Sequence, residues 1–121
     1  MTTANGYTWF ENVAALVKDT PEDSITSRTF YQDDAVKAVL FGFDAGQSLS
    51  KHTAAMPAII HILDGEADII MGDDTHAADP GAWFHMDANL PHSVIAKTKL
   101  TMLLLMLKVD KKAVEANGAA G

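Results

Sequence analysis

The chain has 121 residues, 48% apolar and 21% charged, with 9 Lys and Arg against 16 Asp and Glu and no cysteine. That length suits one domain, able to bury roughly two-thirds of its unfolded surface, and without cysteine it has no disulfide, thiolate metal site or cysteine nucleophile. A formal charge of −7 with no basic run argues against nucleic acid or an anionic membrane as partner.

Met1 to Phe10 has neither a positive stretch nor an apolar core, so no secretory signal is read there and a cytoplasmic location is expected. Residues 1–23 form an N-terminal segment. In it Trp9, Phe10, Val13, Leu16 and Val17 recur at three- and four-residue intervals, which predicts a helical turn or two over Tyr7 to Val17. The stretch Asp19-Thr-Pro-Glu-Asp23 reads as a turn.

From residue 24 to 109 short runs rich in β-branched and aromatic residues alternate with turn clusters. Strands are predicted over Ile25–Tyr31, Ala35–Phe43, Ala58–Leu63, Glu66–Met71, Ala82–Met86, His92–Ala96 and Leu100–Val109. Asp64-Gly65, between two such runs, is a short-hairpin signal. The stretch around His76, after Gly72, reads as polar surface, and Ala77 to Gly81 as a turn. Strands at intervals of about 8–12 residues predict an all-β sandwich or barrel. Residues 110–121 lose the pattern and read as a loose tail. The longest unbroken apolar run, Met102 to Leu107, is too short to span a bilayer.

No phosphate-binding loop or Gly-x-Ser-x-Gly elbow is present. The acidic residues Asp44, Asp64, Asp73, Asp74 and Asp79 fall at turns and read as solvated loop chemistry. Of the five histidines, His61 and His85 lie within apolar runs, whereas His52 and His92 each stand where a loop meets a strand.

Two stretches carry a resemblance. The first runs from Gly46 through His52, Ala54 and Ala58 to Gly65, and the second from Gly81 through Asp87 and Asn89 to His92 and Ala96. They resemble the paired motifs of the cupin superfamily: Gly, five residues, His-x-His, a short spacer, Glu, six residues, Gly; then Gly, five residues, Pro-x-Gly, two residues, His, three residues, Asn. Gly46, His52, Gly65, Gly81 and His92 fall on the pattern. Ala54 stands in the second His slot and Ala58 in the Glu slot, Asp87 and Ala96 depart, and Asn89 can take the positive φ of the missing Gly.

The resemblance implies an antiparallel jelly-roll barrel, a double-stranded β-helix, after a short N-terminal helical segment. It also implies a site at the barrel mouth. Metal-dependent cupins hold iron, manganese, nickel or zinc with three His and one Glu, and only His52 and His92 remain of that set here. The expectation is a weak two-His metal site at most, with no certain cofactor. Alternation along Ala58–Leu63 places His61 away from the site.

The leading expectation is a small molecule bound in an apolar interior lined by Ala54, Ala58, Ile60, Met102 and Met106, with His52 and His92 as its polar groups. The alternative is a metal-dependent oxygenase, isomerase or lyase using the same two histidines. A storage role would give them no task. On the last strand Met102, Leu104 and Met106 share one face and Leu103, Leu105 and Leu107 the other. A homodimer would cover the second face, and a central strand buried within a monomer would do so equally.

Overall fold

The structure, a computed structural model, describes residues 6–108. Its strands are β1 (Ile25–Gln32), β2 (Val36–Phe43), β3 (Ser48–His52), β4 (Ala58–Asp64), β5 (Ala67–Met71), β6 (Asp74–Ala78), β7 (Trp83–Met86), β8 (His92–Ala96) and β9 (Leu100–Leu107). One sheet has the order β1-β2-β9-β4-β7 and the other β3-β8-β5-β6. Every pairing is antiparallel. The result is an all-β double-sheet jelly roll, preceded by a short 3-10 helix, Val13–Val17.

Period-two alternation explains which residues fill the space between the sheets. On β4 Ala58, Ile60 and Ile62 are buried, and on β8 His92, Val94 and Ala96 share the inward face. Phe43, Ile60, Ile62, Ile69, Val94 and Met102 form the middle of this core. Among the described residues no helix is long and apolar enough to cross a membrane.

Four sequence expectations change. The helical signal over Tyr7 to Val17 yields only the five residues of the 3-10 helix, capped by the Asn12 side chain accepting from Ala14 N–H. Asp64-Gly65 does not close a hairpin, because β4 and β5 belong to different sheets. Gly65 takes a φ of +86, and a Cβ there would run into the Lys99 carbonyl oxygen. The glycine thus serves a crossover that passes tightly against another backbone. Ser48–His52 and Asp74–Ala78 are both strands, despite polar sequences. Each is the edge of its sheet with most residues exposed, where polar side chains are tolerated and blunt further pairing. The expected strand end at Val109 and the tail 110–121 lie outside the described residues.

The second face of β9 is half-buried at Leu103, Leu105 and Leu107. The N-terminal segment covers part of it. Phe10 meets Phe30 edge-on at 5.3 Å between ring centroids, and a cavity of about 710 Å³ remains between Tyr7, Phe10, Phe30, Val36, Leu103 and Leu105.

Candidate functional site

Three loops meet at one end of the barrel. They join β3 to β4, β5 to β6 and β7 to β8, so His52, Ala58, Met71, Asp74, Met86 and His92 are the strand residues nearest that mouth. Asn89 N–H donates to the Ala54 carbonyl at 2.7 Å, and Gly72 N–H donates to the Pro91 carbonyl at 2.7 Å. Asn89 has a φ of 68, a left-handed conformation that its short polar side chain tolerates.

His52 reaches the inward face through a β-bulge. Leu49 pairs with Val94 inside the barrel, and strict alternation would send the residue three positions later to the outside. The register slips by one residue between Leu49 and His52, so His52 stands opposite His92. A bulge re-aims a side chain in this way at many sites.

The two rings lie 4.2 Å apart between centroids, with planes tilted by 55°. His52 Nδ1 lies 2.7 Å from the Ser50 carbonyl oxygen, and His92 Nδ1 lies 2.8 Å from that of Leu90. A carbonyl can only accept, so Nδ1 of each ring carries the hydrogen. In the neutral ring Nε2 keeps its lone pair. The backbone thus fixes both tautomers and presents two acceptor nitrogens. His92 is 6% exposed and His52 is exposed at the sheet edge. Among the described residues no buried side-chain nitrogen or oxygen lacks a partner, and neither Nε2 is hydrogen-bonded, so the ring tips reach solvent at the mouth.

Strand register extends the site. Across one sheet the inward row at the mouth reads His52, His92, Met71 and Asp74. Across the facing sheet it reads Gln32, Lys37, Met106, Ala58 and Met86. Two imidazoles, three thioethers and one methyl group therefore occupy the middle of the mouth, with Lys37 and Asp74 toward the sides. Ala54 lies half-buried in the loop above. Ile60 and Met102 sit deeper, 2% and 1% exposed, within the packed core that floors the site.

Met71 and Met86 were not among the residues singled out in the sequence. Their signal was present: each ends a strand just before a mouth loop, at Gly72-Asp73 and at Asp87 to Pro91. His76 lies on the inward side of β6, exposed at its edge, with its ring 5.7 Å from that of Phe84. His61 pairs with Leu103 and Trp83, and His85 with Ile59, so both stand on the outer face. The cavity behind the N-terminal segment is walled mainly by apolar side chains, with Tyr7, Thr8 and Tyr31 as its polar members, and among the described residues its lining includes no acid, histidine or lysine.

The donor chemistry of the mouth can be tested against the metals that the resemblance implies. Iron, manganese, nickel and zinc want three or four nitrogen, carboxylate or thiolate donors. Methyl groups at positions 54 and 58 supply none. Among the described residues no group of three or more His, Cys, Asp or Glu is placed to hold an ion. The residues present do not fit such a centre.

Comparison with known proteins follows the same lines. The family profile "Cupin domain" matches residues 39–108. A conserved protein of unknown function from Streptococcus pyogenes is 30% identical, with a TM-score of 0.68 over 74% of this chain and 79% of its own. A cupin superfamily protein from Desulfitobacterium hafniense is 28% identical, with a TM-score of 0.74 over 81% of this chain and 88% of its own. A protein from Thermus thermophilus shares the fold at 19% identity, with a TM-score of 0.73 over 81% of this chain and 95% of its own. A search of curated proteins gives no match.

Proposed function

The chain belongs to the cupin family, and from that premise we propose that its barrel mouth binds a small organic molecule, held by His52 and His92. The observation that carries this reading is the imidazole pair itself, with both Nδ1 atoms fixed by carbonyls and both Nε2 atoms open to the mouth. A few placed polar groups on an apolar surround are the usual makeup of a ligand site. Two acceptor nitrogens suit a ligand that offers hydroxyl, amide or acid hydrogens. Its apolar body would lie against Ala58, Met71, Met86 and Met106. The metal-dependent oxygenase, isomerase or lyase reading asks for donors that positions 54 and 58 do not provide.

A thermal-shift screen of small hydroxylated and carboxylated compounds tests the site. His52 is exposed, so His52→Ala should leave the fold intact and remove most of the shift given by any hit. A hit whose shift survives both His52→Ala and His92→Gln binds elsewhere and overturns the assignment.

We also propose that a second copy of the chain covers the outer face of the larger sheet. The support is the apolar surface beyond the N-terminal segment, where Ile59, Leu63 and Leu107 are half-buried and Trp83 is 57% exposed. A stable pair of this kind buries about 800 Å² on each partner. Sedimentation should show a dimer that Ile59→Glu converts to a monomer, and a wild-type monomer at all concentrations would refute it.

A further inference from the structure

The mouth that fits no ordinary cupin metal is rich in sulfur. The chain has six methionines, and three of them occupy inward mouth positions in register with the site. Met71 is the direct cross-strand partner of His92, on the side away from His52. Met86 and Met106 are the two cross-strand partners of Ala58, one on each side of the vacated Glu position. Directly opposed residues in antiparallel strands have Cβ atoms about 4.5–5.5 Å apart, within reach of thioether and imidazole side chains.

Two further features suit metal ligation. Both histidines donate Nδ1–H to a backbone carbonyl, the outer contact that fixes tautomer and orientation in metal-binding histidines and raises the basicity of Nε2. The thioethers lie at the rim of a largely hydrocarbon barrel, with Met86 only 3% exposed. Neutral imidazole and thioether donors add no charge, so the site favours a soft monovalent cation over a hard divalent one. Thioether ligands select Cu(I) on softness.

We propose that the mouth is a Cu(I) site of three or four donors, Nε2 of His52 and His92 with thioether sulfur from among Met71, Met86 and Met106. The inference shares its two histidines with the proposed small-molecule site, and the methionines separate the two. Leucine replaces methionine at nearly constant volume. It keeps the apolar walls and both imidazoles but removes the sulfur.

The test uses the full chain under anaerobic reducing conditions, with Cu(I) supplied against a chromogenic Cu(I) chelator. Wild type should take one equivalent, and the ε-methyl NMR signals of Met71, Met86 and Met106 should shift on loading. The triple variant Met71→Leu, Met86→Leu, Met106→Leu should lose Cu(I) affinity by about tenfold or more, while its far-UV circular dichroism and the imidazole NMR signals of His52 and His92 in the metal-free state stay as in wild type. Single Leu variants report the same loss if the triple variant does not fold. Failure of wild type to compete with the chelator overturns the Cu(I) site and leaves the small-molecule reading standing. Equal Cu(I) affinity in the leucine variants, or displacement of Cu(I) by equimolar Zn²⁺, overturns it as well.

Discussion

Restoring the two lost ligand positions should turn the mouth into a divalent metal centre. The perturbation is the double substitution Ala54→His and Ala58→Glu. Ala58 is 2% exposed and flanked by Met86 and Met106, so the added carboxylate enters an apolar layer. Burial can raise a carboxyl pKa by up to about 4 units, equivalent to roughly 5 kcal/mol against the ionised form. The group would protonate instead, and overpacking adds about 1–3 kcal/mol. A net loss of about 3–5 kcal/mol without metal follows. With four donors in place, a metal at about a thousand times its Kd returns roughly 4 kcal/mol. At about 4 °C per kcal/mol for a chain of this size, Zn²⁺ or Mn²⁺ should raise Tm by about 16 °C in the double variant and leave wild type nearly unmoved. Differential scanning calorimetry with and without metal reads both values. Circular dichroism shows whether metal folds the variant if it is unfolded without it. Adding His92→Gln should abolish the gain. No metal-dependent rise in a folded double variant would refute the placement of positions 54 and 58 in the ligand slots.

Other outcomes follow from the fold. Gly65→Ala meets both a φ of +86 and the Lys99 carbonyl, whereas Gly46→Ala has a φ of +84 but nothing within 4 Å. The first should cost about 2–4 kcal/mol and the second about 1 kcal/mol in denaturant unfolding; equal losses would remove the crossover argument. Phe10→Ala removes the edge-to-face contact with Phe30 and opens the cavity behind the N-terminal segment. It should cost about 1–2 kcal/mol and increase binding of a hydrophobic dye. The Asp44 carboxylate is held below its ordinary value of 3.8 by the backbone N–H groups of Asp23 and Ala45. Its folded value is depressed, so its stabilisation is complete above pH 3.8 and is lost as pH falls through that lower value. The Tm gap between wild type and Asp44→Asn should therefore be widest near neutrality and close under acid.

The runs Val36–Phe43, Ala58–Asp64 and Leu100–Leu107 could be read directly, because strands buried on one or both faces must be apolar in a period-two or continuous pattern. Ser48–His52 and Asp74–Ala78 could not, because edge strands owe their form to a neighbour's hydrogen bonds more than to their own side chains. The same gap hid part of the site. His52 was recognisable by motif spacing, but its entry to the inward face depends on a bulge that alternation does not foresee. Met71 became a neighbour of His92 only once β5 was known to pair with β8, across a sequence separation that no local pattern spans. Asp64-Gly65 misled for a related reason. A glycine needed for tight backbone passage and one needed for a hairpin look alike in sequence.

The matches to the family motifs divide by physical cause. Gly46, Gly65, Gly81 and Asn89 all have positive φ, so the course of the backbone alone accounts for them. His52 and His92 have no such reason. The Ser50 and Leu90 carbonyls that accept from them belong to exposed or half-buried backbone that water could satisfy equally well. An exposed imidazole on an edge strand adds little to folding, and a bulge spent on turning it inward adds nothing to the core. The frame residues therefore explain the barrel, and the paired imidazoles are the feature that the proposed ligand would explain. Alanine at positions 54 and 58 removes the donors that would make that ligand a hard or borderline metal ion. What the mouth retains is basic nitrogen beside thioether and hydrocarbon. That chemistry suits the occupants proposed for it, an organic molecule with hydrogens to donate or a cation soft enough to accept sulfur.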